Sequence, residues 1–98
     1  MSRITIELEQ QVVDFIRSLA PQPRQSLRRA VKNLERENGD IRALEGELEG
    51  FYRLRVQRYR LIFFYQLRGT RRFIRCVYAA PRNIVYEIFA EHVRDLLR

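Results

Sequence analysis

Nine arginines lie between residues 51 and 82: Arg53, Arg55, Arg58, Arg60, Arg68, Arg71, Arg72, Arg75 and Arg82. The same stretch holds no lysine and no acid. Guanidinium is the cation best suited to phosphate, because its planar fork donates two parallel hydrogen bonds and stays charged at any relevant pH. Aromatic and β-branched residues alternate with these arginines, as in Phe51-Tyr52-Arg53-Leu54-Arg55-Val56 and Tyr59-Arg60-Leu61-Ile62-Phe63-Phe64-Tyr65, a pattern that suits a half-buried sheet. A tight turn at Gln57-Arg58 would set Arg55 opposite Arg60 and Arg53 opposite Ile62. Arg53, Arg55 and Arg60 then share one face, and Tyr52, Leu54, Val56 and Leu61 the other. Exposed strand arginines are ordinarily solvated. Three on one face with no acid in the segment point instead to a phosphate-binding surface, since like charges directly opposite cost about 0.2–1 kcal/mol per pair.

The elements that would position these residues follow from periodicity. Ile4, Ile6 and Leu8 alternate with polar residues and predict a short strand. Val12, Phe15, Ile16 and Leu19 repeat at helical spacing. Pro21-Gln22-Pro23 ends that helix and opens a second, whose apolar stripe is Leu27, Ala30, Val31 and Leu34. Arg24, Arg28, Arg29, Lys32 and Arg36 lie largely off the stripe, by default a solvated face and, in a sharper reading, a surface for an acidic partner. Asn38-Gly39 is expected to close the second helix. Residues 40–50, with Asp40, Glu45, Glu47 and Glu49, are expected to form an acidic connection. Strands follow at about 51–57, 59–67 and 71–80, with a turn at Arg68-Gly69-Thr70, and Pro81 ends the last. Val85, Ile88, Phe89, Val93, Leu96 and Leu97 then predict a C-terminal helix with Arg98 on its polar side. The fold class is α+β, order β-α-α-β-β-β-α, a single domain over 1–98. Two N-terminal helices pack on a twisted, mainly antiparallel sheet, with all helices on one side.

Composition narrows the function. Ninety-eight residues at 46% hydrophobic content support one small core. No apolar run reaches the ~20 residues of a membrane span, and the start, Met1-Ser2-Arg3-Ile4-Thr5, has no signal-peptide plan, so a cytoplasmic protein is expected. Cys76 is the sole cysteine and His92 the sole histidine, which argues against a disulfide, a metal site and thiol-protease or zinc chemistry. Cys76 reads as a small buried hydrophobe and His92 as a surface residue. Residues 1–49 carry eight bases and nine acids, whereas residues 50–98 carry eleven bases and three acids, so the positive field belongs to the C-terminal half. That asymmetry favours a nucleic acid or another polyanion as partner.

Leu44-x-Gly46, Gly50-Phe51-Tyr52-Arg53-Leu54-Arg55-Val56, Tyr59-Arg60-Leu61-Ile62-Phe63 and Arg82-x-x-x-Tyr86 together resemble the RelE/ParE toxin superfamily of toxin–antitoxin systems, over nearly the whole chain. The resemblance to RelE-type members implies a ribosome-dependent, metal-independent mRNA endoribonuclease that inhibits translation, without a cofactor. It implies a cognate antitoxin as partner, besides the ribosome and mRNA. ParE-type members inhibit DNA gyrase instead, and a degenerate member would only bind antitoxin or RNA. Carried over by position, Arg60, Arg82 and Tyr86 are the expected catalytic residues, and Arg53, Arg55 and Arg58 the substrate contacts. Metal-free RNA cleavage needs the 2′-hydroxyl deprotonated, the phosphorane stabilised and the 5′-oxygen protonated. Arginines serve the second need, Tyr86 is the candidate base if guanidinium neighbours lower its pKa, and Arg82 would stabilise the leaving oxygen. Two departures from the family pattern stand out: Gln57-Arg58 replaces the usual Gly-Asp turn, and Pro81 replaces a residue that is often histidine or a base. A core position is the alternative reading of Tyr86, and packing the expected role of Tyr52, Tyr59 and Tyr65.

Overall fold

In the computed structural model, which describes residues 3–97, the alternating N-terminal segment forms strand β1 (Thr5–Leu8), followed by helices α1 (Gln10–Ser18) and α2 (Pro21–Asn33). Arg98, expected on the polar side of the last helix, lies outside the described residues. Pro21 stands at the start of α2, where its missing N–H costs nothing. One 3-10 turn later the helical segment ends at Glu37, whose φ of 54° is left-handed, with the Asn38 N–H bonded back to the Asn33 carbonyl at 3.1 Å. The closing residue is therefore Glu37 rather than Asn38-Gly39. Gly39 matters for another reason. Its φ is 144°, and a Cβ there would come within 2.7 Å of Leu54 Cδ1. Only glycine lets the chain pass so close to the sheet.

The expected acidic connection contains a strand, β2 (Asp40–Ala43), that the sequence reading did not anticipate. It has four residues and one inward apolar side chain, Ile41, packed against the main core, while Asp40 and Arg42 face out. Short charged strands of this kind are typical of sheet edges. The remaining elements are β3 (Tyr52–Val56), β4 (Tyr59–Arg68), β5 (Arg71–Pro81) and α3 (Val85–Leu96), close to the expected spans. The five strands lie in the order β1-β5-β4-β3-β2, antiparallel except where β1 pairs with β5.

The register between β3 and β4 matches the sequence reading, with Arg55 opposite Arg60 and Arg53 opposite Ile62. Gln57 takes a left-handed φ of 57°, and the second turn residue does not. That is the pattern of a II′-type hairpin turn. The faces sort as the alternation requires. Leu54, Leu61, Phe63, Ile74 and Cys76 meet Val12, Ile16, Leu27 and Leu34 of the two N-terminal helices in one core. Each fully buried Leu or Phe contributes about 1.5–3 kcal/mol.

The helices do not all lie on one side. A register shift at Ile62/Phe63 leaves Val77 as an extra residue in β5, and Ile62, Val77, Tyr78 and Ala80 form a second apolar patch on the opposite face. Helix α3 covers that patch with Val85, Phe89 and Ala90. A second apolar face needs its own cover, which is why the last helix crosses to it.

Candidate phosphate-binding site

The face shared by β2, β3 and β4 gathers the arginines. Arg42 pairs in register with Arg53, Asp40 with Arg55, and Arg55 with Arg60, so four guanidinium groups and one carboxylate belong to one surface. Arg42 is a residue of this surface that the sequence reading missed. Its signal was slight: a single apolar residue, Ile41, between two polar ones.

These arginines have different surroundings. Arg53 is 8% exposed; its Nη1 donates to the Asp40 carbonyl at 2.8 Å and to the Asp40 carboxylate at 3.0 Å. The segment that carries Arg53 has no acid, but the unforeseen strand β2 supplies one. Arg60 is 6% exposed and meets no carboxylate among the described residues; its Nη1 donates to the carbonyls of Tyr59 at 2.8 Å and Gln57 at 3.1 Å. Among the described residues no fully buried side-chain nitrogen or oxygen lacks a hydrogen-bond partner. The Nε and Nη2 of Arg60 make no hydrogen bond to those residues, so both reach the surface. The backbone thus holds one arm of the fork, and the other donors have no acceptor among the described residues. Arg55, opposite it, is exposed.

A second group forms where β5 ends. The Arg82 N–H donates to the Arg58 carbonyl at 2.8 Å, which ties the segment after β5 to the β3–β4 turn. Arg58, Pro81, Arg82 and Asn83 line an open concavity of about 610 Å³. Arg58 rests over the Tyr59 ring, 5.4 Å from its centroid, with Nε 3.3 Å from the Tyr59 hydroxyl. Arg60 connects the two groups, since it bonds the carbonyl of the residue just before Arg58.

Tyr86 lies in the first turn of α3, half-buried against the second apolar patch, on the same side of the sheet as Arg53 and Arg60. No hydrogen bond joins its hydroxyl to any of the arginines among the described residues. Tyr52, Tyr59 and Tyr65 pack into or against the first core. Burial, and then a bond to Glu37, pushes the Tyr65 phenol up to about 12. Cys76 is wholly enclosed, and burial pushes its thiol up to about 12, which suits a packing role. His92 is exposed on α3, with its ring 6.4 Å from that of Phe89. Among the described residues no three His, Cys, Asp or Glu side chains cluster as metal ligands would, and no helix is long and apolar enough to cross a membrane.

A paired sheet with a helical hairpin behind it and a C-terminal helix in front is a fold that the chain shares with solved toxins of the RelE/ParE superfamily, the family that the motifs resemble. Among solved structures, the chain is similar to the RelE of an archaeal RelE–RelB complex from Pyrococcus horikoshii, at 27% identity and a TM-score of 0.62, over 82% of this chain and 96% of that one. It is also similar to the RelBE2 toxin–antitoxin complex of Mycobacterium tuberculosis, at 20% identity and a TM-score of 0.67, over 82% and 99% of the two chains. A YoeB/ParE toxin from Agrobacterium tumefaciens shares the fold at 12% identity and a TM-score of 0.64, over 80% and 98%. No family model and no curated protein sequence matches the chain.

Proposed function

We propose that this protein is the toxin of a type II toxin–antitoxin pair, a cytoplasmic endoribonuclease that cleaves mRNA on the ribosome and is held inactive by a cognate antitoxin. The observation that carries this reading is Arg60. A guanidinium 6% exposed, held by two backbone carbonyls, with no carboxylate among the described residues and opposite another arginine, carries a desolvation cost that those carbonyls offset only in part. A phosphate between Arg60 and Arg55 would remove that cost. The likeness to RelE and RelBE structures supports the same reading.

In the proposed reaction Arg60 directs its free donors at the phosphorane oxygens, where charge grows. Arg53, Arg55 and Arg58 hold the neighbouring phosphates, with Arg42 on the same surface. Tyr86, as its phenolate, takes the 2′-proton while the 2′-oxygen bonds to phosphorus; the bond from phosphorus to the 5′-oxygen breaks, Arg82 stabilises that oxygen, and water supplies its proton. Arginines are poor proton donors and tyrosine a weak base at neutral pH, so the ribosome must contribute alignment of the substrate.

The test is to induce the protein in a bacterial host and map mRNA 5′ ends on translated and untranslated copies of one transcript. The reading expects cuts in translated frames only, lost in Tyr86→Phe and Arg60→Ala. Growth arrest with intact mRNA and relaxed plasmid would replace it with inhibition of gyrase. Absence of arrest would leave a protein that only binds antitoxin or RNA.

A further inference from the structure

The outward face of α2 is a second basic surface, on the side of the sheet away from Arg53 and Arg60. Helix α2 contains no acid. Arg24, Arg28 and Lys32 follow one another at four-residue steps, Arg36 adds one more step in the 3-10 turn, and Arg29 lies beside them. Arg28, Arg29, Lys32 and Arg36 are exposed and Arg24 is half-buried. At a rise of 1.5 Å per residue the row spans about 18 Å. Like charges at this spacing destabilise a helix by about 0.2–0.5 kcal/mol per pair. The row has little internal relief. Its one ion pair among the described residues, Lys32 with Glu35, is long at 3.9 Å, with Lys32 72% exposed. Arg24, Arg28, Arg29 and Arg36 make no ion pair or side-chain hydrogen bond among the described residues. On the β1 side and on α3 the chain does match arginines with acids, as for the exposed Arg68, Arg72 and Arg94 and the half-buried Arg75.

The composition of the face separates two kinds of partner. A helix that binds an acidic protein segment normally offers apolar anchors, because protein interfaces depend on a desolvated centre. The exposed large hydrophobic residues among those described are Leu67, Ile84, Ile88, Leu96 and Leu97, and none is on α2. A row of cations without anchors, inclined to the helix axis, suits the phosphate backbone of a nucleic-acid duplex, which is held by charge alone.

We propose that the α2 face docks on double-helical RNA, leaving the opposite face free for the substrate strand. The choice of RNA over DNA rests on the proposed ribonuclease function. The experiment measures binding of the full chain to a labelled RNA duplex of about 16 base pairs and to a DNA duplex of the same sequence, across a salt series. The variants are R24Q/R28Q/K32Q and, as a control outside both basic faces, Arg94→Gln, with thermal melting to establish that each is folded. The triple variant should bind duplex RNA at least about tenfold more weakly, with a log–log salt slope shallower by about 3, while Arg94→Gln, which removes an exposed arginine paired with Glu47, binds as the parent does. Unchanged binding by the folded triple variant would overturn the proposal. Equal affinity and equal sensitivity for DNA would overturn the assignment to RNA. Capture of polyglutamate without RNA binding would show a protein-docking face instead. Because duplex binding is read without cleavage, an inactive parent would refute the ribonuclease reading and leave this result standing.

Discussion

Arginines on the β1 side of the sheet and those near the β3–β4 turn are the same residue type on the same sheet, yet they have opposite surroundings. On the β1 side, Arg75 donates through Nε to Glu9 and through Nη1 to Glu7, both at 3.0 Å. Arg68 reaches Glu7 at 2.6 Å and rests over the Phe73 ring, and Arg72 reaches Glu37 at 3.3 Å. The hydrogen bond from Arg68, aided by charge from Arg68 and Arg75, holds the Glu7 carboxyl below its ordinary value, while Glu9 first and Glu7 next raise the pKa of Arg75. Around the turn, Arg55, Arg58, Arg60 and Arg82 meet no acid among the described residues, and Asp40 serves Arg53 alone. Arginine content is therefore no guide to function by itself. What distinguishes the two groups is whether another strand brings carboxylates to them.

The comparison can be broken most directly by exchanging arginine for lysine in each group. Arg60→Lys keeps a charge but loses the fork, and should lower mRNA cleavage by about 10²–10³-fold while the protein stays folded. Arg75→Lys should leave cleavage within about twofold, since its partners are internal acids. Equal loss in both would mean that pairing does not separate function from structure.

A second change disturbs the acid nearest the turn. Gly39→Ala forces a Cβ against Leu54 in a left-handed backbone, which should destabilise the protein by about 1–3 kcal/mol in urea unfolding. It should also loosen β2, seen as faster amide exchange at Ile41 and Arg53. A third change should act in the other direction: Arg55→Thr removes one of two opposed charges and should raise stability by about 0.2–1 kcal/mol while weakening activity. Lower stability in this variant would mean that Arg55 and Arg60 do not repel.

The smallest effect lies with Glu7. Its folded pKa is below the ordinary 4.5, so its contribution is present above that value and is lost as pH falls through the folded value. Thermal melting from pH 6 down to about pH 3 should fall less steeply in Glu7→Gln than in the parent. The corresponding slope should be unaffected by Arg60→Gln, because no carboxylate among the described residues titrates against Arg60.

Much of this arrangement was legible in residues 51–65. The two-residue turn and the period of two determine which side chains face each other, and the structure has the same register. The prolines likewise marked the start of α2. Long-range partners left no local signal. Strand β2 had one apolar residue to announce it among glutamates and glycines, and without it Asp40 could not be matched with Arg53. The extra residue at Val77 changes which side chains of β5 face α3, and no turn residue marks it. Glu37 closes a helix in a conformation that sequence preference assigns to its neighbours Asn38 and Gly39.

The parallel pairing of β1 with β5 also sets a schedule for synthesis. Thr5 faces Phe73 and Leu8 faces Cys76, so each partner is made 68 residues later. The β3–β4 hairpin can form from neighbouring residues as it emerges, but the first strand waits for almost the last. Until Cys76 has been released, Glu7 and Glu9 cannot neutralise Arg68 and Arg75, and one edge of the growing sheet stays open. A chain cut short before that point would carry the arginines of the turn on an unclosed sheet, so the N-terminal strand closes that edge only after most of β5 has been translated.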